Sequence, residues 1–434
     1  ILGPDRPDTF TSRSTLAGAY RDAGRLDEAI PLYEQNLEDR TRTLGPAHPV
    51  TLTSRNNLAG AYQAAGRLDD AITLFERNLT DFARLAGPDH LDTLTSRGSL
   101  AGAYQAAGRI DQAIALFERN LTDFIRVLGP DHPETLAWQD TLAGAYQAAG
   151  RLDEAIALFE RNLTDFIRVL GPDHPETLAS RGNLAGAYQA AGRIDQAIAL
   201  LEQNLEDRTR TLRPDHRDTL ASRNNLAGAY QAAGKLDLAI PLLQQTLDDS
   251  THVLGPHHPR TLTSRNNLAG AYQAAGRLSE AIPLFEQALT DHTYILGPHH
   301  PDTLNTRNNL AGAYQAAGRL SEAIPLFEQT LTDHTYILGP HHPRTLISRN
   351  HLANAYRTAG RLDEAITLHG QTLEDRTRIL GPHHPDTLIS RNNLAGAYRA
   401  AGRIEDAEKL FKTPSGSEEK QDGTEDNPAQ ETGD

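Results

Sequence analysis

The chain has 434 residues, a net charge of −15, no cysteine and no methionine. Missing thiols exclude disulfides and thiolate metal sites. No apolar run approaches the ~20 residues of a membrane span, and no basic stripe offers itself to a nucleic-acid duplex. The acidic segment from Thr413 supplies −6 of the charge, so the rest is only mildly acidic. Hydrophobic residues make up 38% and aromatics 6%, which fits many small contacts rather than one deep core. The expectation is a cytoplasmic protein with no cofactor.

The organising stretch is Leu254 to Ile295, LGPHHPRTLTSRNNLAGAYQAAGRLSEAIPLFEQALTDHTYI, 42 residues long. The Gly of its LGP recurs at Gly3, Gly45, Gly87, Gly129, Gly171, Gly255, Gly297, Gly339 and Gly381, with Arg213 at the remaining position. A fixed period of this size means stacked supersecondary units, each burying its apolar face on its neighbours. Ile1 and Leu2 match Ile295 and Leu296, so the chain is expected to be a fragment of a longer protein, cut in or just before the array.

Within one unit, Pro259 opens the first turn of a helix A. Leu262, Leu268, Ala269 and Tyr272 recur on one side at helical spacing. Gly276 is the expected left-handed terminator. Such a Gly occurs in all ten repeats, from Gly24 to Gly402. Ser279 is the expected N-cap of a helix B, a place held elsewhere by Asp69 or Asp153. Ala281, Ile282, Leu284, Phe285, Ala288 and Leu289 then form a core-facing stripe. Helix B is expected to run past Pro283 to Leu296 and stop at Gly297-Pro298. Neither helix is long enough to be stable alone in water.

Taken in order, the repeats differ mainly in helix A. Repeat 1 carries Ser14 and Thr15 where repeat 2 carries Asn56 and Asn57. Repeat 3 has Gly98 and Ser99, with Leu91 for a loop proline; repeat 4 has Trp138, Gln139 and Asp140; repeat 5 has Gly182 and Asn183. Repeat 6 has Arg213 and Arg217 in its loop, repeats 7 and 8 are nearly identical, and repeat 9 has His351 and Asn354. Repeat 10 ends in a short charged helix over Glu405 to Lys412, a polar cap. The array thus spans 1–412, and 413–434, polar and without aromatics, is expected to be disordered.

Leu268, Ala269, Tyr272, Gly276, Ala281, Phe285 and Leu289, with the LGPDHP linker at Leu128 to Pro133 and the NNLA at Asn266 to Ala269, resemble the tetratricopeptide repeat in its kinesin-light-chain-like, 42-residue form. The resemblance covers Ile1 to about Lys412; Arg265 stands where the commoner form has Trp. It implies an all-α, right-handed superhelical solenoid of about ten helix-turn-helix repeats. Helix A would line a concave groove that holds a peptide or protein segment. It also implies a second arrangement, in which similar bacterial arrays sit behind an NB-ARC or STAND-type NTPase domain as its sensor arm. No GxxxxGK[ST] loop occurs in the chain, so that domain would lie upstream. Arg outnumbers Lys 38 to 4, a hint of a GC-rich, actinobacterial-like genome.

Four candidate sites follow. Asn266, Gly270 and Gln273 share a helix A face, and their copies give a ladder: Asn56, Asn224, Asn308, Asn350 and Asn392, with Gln63, Gln231 and Gln315. Amides both donate and accept, as an extended peptide requires; Arg55, Arg265 and Arg307 would orient acidic groups. Gly270 costs roughly 1 kcal/mol against Ala in mid-helix, explained by a ligand's close approach, by tight helix packing, or by copying. The His pairs His257-His258, His299-His300, His341-His342 and His383-His384 read as loop packing and capping, because successive loops should lie ~8–10 Å apart, too far for one zinc. Trp138 with Asp140 is either a partner anchor or a changed surface position. Asp, Glu and His recur with the scaffold and form no single converging constellation, so no catalysis is expected.

Overall fold

The computed structural model describes residues 7–22 and 25–411; Gly3, Gly24 and the acidic segment over 413–434 lie outside them. The described residues form helices and connecting turns, with no strand. The A helices are α1 (Pro7–Asp22), α3 (Pro49–Ala64), α5 (Leu91–Ala106), α7 (Pro133–Ala148), α9 (Pro175–Ala190), α11 (Arg217–Ala232), α13 (Pro259–Ala274), α15 (Pro301–Ala316), α17 (Pro343–Thr358) and α19 (Pro385–Ala400). The B helices are α2 (Leu26–Leu44), α4 (Leu68–Ala86), α6 (Ile110–Leu128), α8 (Leu152–Leu170), α10 (Ile194–Leu212), α12 (Leu236–Leu254), α14 (Leu278–Leu296), α16 (Leu320–Leu338), α18 (Leu362–Leu380) and α20 (Ile404–Lys409).

Each helix packs on the one before and the one after, so the stack is continuous. Beyond this, α3 touches α5, α7 touches α9, α11 touches α13 and α17 touches α19. No comparable contact joins consecutive B helices. The A helices therefore lie on the inside of the curve and the B helices on the outside.

The core is built where the stripes predict. In α13, Ala269 is buried with Ala281, Ile282 and Phe285 of α14, while Leu268 and Ala271 are buried with Ile240 and Leu243 of α12. Alanine at 269, 271 and 281, each 0% exposed, lets the backbones approach; the large side chains contribute about 1.5–3 kcal/mol each by burial.

The helix ends follow simple rules. His258 caps α13, its Nδ1 accepting from the Arg260 N–H at 3.2 Å. At the other end the Gly276 N–H donates to Gln273 O and the Arg277 N–H to Tyr272 O, a Schellman closure made possible by φ +71° at Gly276. One expectation fails here. The N-cap of α14 is Arg277, which makes no side-chain cap bond. Ser279 lies inside the first turn, because the Schellman closure passes straight into Leu278. Pro283 lies within α14 without ending it.

Arg213 keeps the glycine geometry without the glycine, at φ 83° and ψ 156°. It is the one non-glycine at positive φ among the described residues. That region is essentially reserved for glycine and costs an L-residue about 1–3 kcal/mol. Arg213→Gly is expected to raise stability by about that amount, read as a higher melting temperature, with no change in helicity.

His369 occupies the slot filled by Phe285 and Phe327 in the two preceding repeats. It is 0% exposed, and neither ring nitrogen has a partner among the described residues. Burial, then the charge of Arg357, lowers its pKa from 6.5 to about 4. His334, 5% exposed, is lowered to about 4 in the same way. The imidazole thus stays neutral when folded and takes up a proton on unfolding between those values. Its contribution is intact above pH 6.5 and is lost as the pH falls toward 4. His369→Phe should add about 1–3 kcal/mol at neutral pH by removing two unpaired polar atoms. It should also flatten the fall in melting temperature between pH 7 and pH 5; an unaltered slope would show that His369 is not the acid-sensitive group.

Candidate peptide groove

The inner surface is built from one side of each A helix. In α13 this side carries Thr263, Asn266, Asn267, Gly270 and Gln273, none of them buried. The stripe is small and uncharged because the apolar stripe of the same helix is spent on α12 and α14.

The Asn row is tied together across repeats. Asn267 Nδ2 donates to Asn224 Oδ1 at 3.3 Å, Asn309 to Asn266 at 3.5 Å, and Asn393 to Asn350 at 2.9 Å. In repeat 9, His351 Nδ1 meets Asn308 Oδ1 at 2.8 Å. Asn224 also donates to Ser264. The second Asn of each pair, which periodicity within one helix does not single out, is the bridging residue. The side chains of Asn56, Asn392, Gln231 and Gln273 make no hydrogen bond among the described residues. Gln315 donates to Thr358 at 3.1 Å.

The arginines are committed elsewhere. Arg307 donates to Asp333 at 2.6 Å and to Pro298 O at 3.2 Å; Arg265 pairs with Asp291 and Arg55 with Asp81. These guanidinium groups fasten helix A to its own helix B and to the loop before it. A third system joins B to the next A. Tyr62 donates to Glu34 at 2.6 Å and Tyr314 to Glu286 at 2.6 Å. Burial and then that bond push the Tyr62 hydroxyl up to about 12.

The mid-helix glycines are open. A Cβ on Gly60, Gly102, Gly144, Gly186, Gly228, Gly270 or Gly396 would meet nothing within 4 Å outside its own helix backbone. Tight helix packing therefore does not account for them.

The His pairs divide their work. His258, His300, His342 and His384 each cap an A helix through Nδ1. His257, His299 and His341 lie 3.8, 3.8 and 3.1 Å from Asp291, Asp333 and Asp375. Nearby repeats place Asp131 and Asp173 in the first His position, paired with Arg168 and Arg210.

Trp138 is not a surface anchor. It stacks on Phe124 at 5.3 Å, leans on Phe117 at 6.3 Å, and covers Gly98, where a Cβ would lie 1.9 Å from its ring. The Asn–Ser contact made by Asn224 and Ser264 is here replaced by a matched Gly–Trp contact. Beside it Asp140 accepts from Asn162, Ser180 and Asn183. Burial raises its pKa, against those three hydrogen bonds.

A family model described as tetratricopeptide repeat matches the chain in overlapping stretches, 8–79, 53–121, 92–161, 136–210, 182–249, 218–293, 292–335, 302–374 and 344–413. No curated protein matches it. Among solved structures it is similar to the kinesin light chain nearly identical TPR-like repeats of Podosopora anserina, with 40% identity over 47% of this chain and 97% of that one, TM-score 0.41. It is similar also to BtubC of P. vanneervenii, with 21% identity over 50% of this chain and 88% of that one, TM-score 0.43. A Rap protein complexed with competence and sporulation factor gives 12% identity over 82% and 97%, TM-score 0.46.

The Gly98–Trp138 pair generates a double-mutant test. Gly98→Ala alone should destabilise the array by about 1–3 kcal/mol through overpacking. In the background of Trp138→Ser, the residue most repeats carry, the same change should be neutral or stabilising. Chemical denaturation of the four proteins reads the coupling directly.

Proposed function

The chain belongs to the tetratricopeptide repeat family, a protein-interaction scaffold, and on that premise we propose that its concave face binds an extended peptide or protein segment. The observation that carries this reading is the row of open glycines. Each sits in mid-helix, where it costs roughly 1 kcal/mol against Ala. Among the described residues, nothing packs against most of them. A ligand backbone passing close to helix A uses that space. The Asn and Gln rows flank it: Asn56, Asn224, Asn266, Asn308, Asn350 and Asn392, with Gln231, Gln273 and Gln315. Their inter-repeat bonds orient the amides, and the remaining donors and acceptors pair with ligand main chain. Arg265 and Arg307 act here by holding helix A in place. Binding of this kind needs no cofactor and no reaction.

The test begins with linear peptides selected from a random displayed library on the unaltered array. Gly228→Ala, Gly270→Ala and Gly396→Ala combined should raise thermal stability by about 1 kcal/mol per site and weaken peptide binding in calorimetry. A variant that is stabilised and binds unchanged would leave copying as the explanation of the glycines and remove the groove reading. Asn266→Ala, Asn308→Ala and Asn350→Ala together should weaken binding with helicity retained.

A further inference from the structure

Two clefts in the molecule lie between repeats that are far apart in sequence, not along the groove. The larger, of about 690 Å³, is walled by Leu26, Pro31 and Arg67 of repeats 1 and 2 and by Pro298, Tyr336 and Ile337 of repeats 7 and 8. The smaller, of about 250 Å³, sets Leu26 and Ala64 against His334 and Leu338. Between them the chain touches itself: a Cβ on Gly66 would lie 3.0 Å from Cα and O of Leu338. Gly66 ends α3 in repeat 2, and Leu338 ends α16 in repeat 8. Six repeats therefore complete one turn of the superhelix, and the A–B turn edge of the first turn meets the B–A loop edge of the second.

The sequence is altered at this edge. In repeats 3, 4 and 5 the last turn of helix B carries Arg126, Arg168 and Arg210, bound to Asp89, Asp131 and Asp173. In repeats 7 and 8 those arginines are Tyr294 and Tyr336, and the partner aspartates of the loops before each helix A are His257 and His299. A charged edge has become a largely uncharged one in the repeats that come round beneath repeats 1 and 2. The contact is not a sealed core: Tyr336 remains 75% exposed while lining the larger cleft.

We propose that this contact is a seam that closes the superhelix on itself and can open. While it is closed, the flank between the first and second turns is shut over these repeats, and the concave face is reached along the superhelix axis. The partner this admits is an extended segment with a free end, whereas a folded domain carrying the same segment in a loop enters only after the seam parts. That statement about the partner rests on the groove reading; the seam itself does not.

The absence of cysteine makes the test direct. Spin labels on Arg67→Cys and Tyr336→Cys should report a short, narrow distance. Adding Gly66→Ala should abolish the short-distance population and enlarge the hydrodynamic radius. Gly276→Ala shares the positive φ but meets nothing within 4 Å, so it controls for backbone strain and should leave both readouts unchanged. A long or broad distance in the parent, or equal effects of the two glycine changes, would overturn the seam. For entry, the same cysteine pair is cross-linked with a short bismaleimide. A library-selected linear peptide should bind cross-linked and uncross-linked array alike. The same peptide inserted in a loop of a folded carrier should bind only the uncross-linked form, and binding of the carrier to both would overturn axial entry. If the linear peptide binds neither form, the groove reading fails, and the label distances still decide the seam.

Discussion

Everything in this molecule depends on the fact that a helix of 16 or 19 residues draws most of its stability from packing against its neighbours. Four kinds of contact do the holding, each with its own sequence offset. The aliphatic stripe joins A to B. The Arg307–Asp333 type of pair fastens A to B and to the loop. The Tyr62–Glu34 type joins a B helix to the next A. The Asn267–Asn224 type joins consecutive A helices along the inner face. Because the repeat length never varies, each offset is satisfied again and again along the stack.

That explains which parts could be read directly. The period gives the stack, and the apolar stripes give the core, because both are properties of single helices. The terminators are legible too: Gly276 and Gly297 adopt the positive φ their positions demand. Contacts that cross from one repeat to the next are not legible in the same way. Nothing within helix A marks Asn267 rather than Asn266 as the donor, and nothing marks Trp138 as the cover of Gly98. Both relations span about one period, where helical periodicity carries no information. Ser279 misleads for a different reason. Its residue type suits a cap, but the Schellman closure at Gly276 and Arg277 leaves no room for another cap residue.

Departures from the repeat are most informative when they come in matched sets. At the inner B-to-A contact, Arg40 donates to Ser54 at 2.7 Å. Phe124 meets Trp138 there in the third and fourth repeats, and His292 meets Thr306 at 3.0 Å in the seventh and eighth. The partners have changed together, which keeps the volume and polarity of each site consistent. His369 and Arg213 have no such compensation: one leaves two ring nitrogens without a partner among the described residues, the other holds a side chain where only glycine is comfortable. They mark the local costs this array tolerates because its stability is spread over many similar interfaces.

A solenoid whose units touch only their neighbours is an elastic body. Small rotations at each interface add up, and its ends are coupled only through everything between them. A contact such as that of Gly66 with Leu338 changes the mechanics. It ties two points six repeats apart, so the rotations between them must sum to one closed turn. Any distortion of a single interface within that turn is then resisted by all the others. A closed turn holds the inner face at a fixed curvature, and on the proposed groove reading that pre-orders the amide rows and lowers the ordering cost of binding. Parting the seam returns the intervening repeats to independent flexing. In the proposed seam, curvature and access are thus coupled through a contact made by residues that share no helix and no neighbouring repeat.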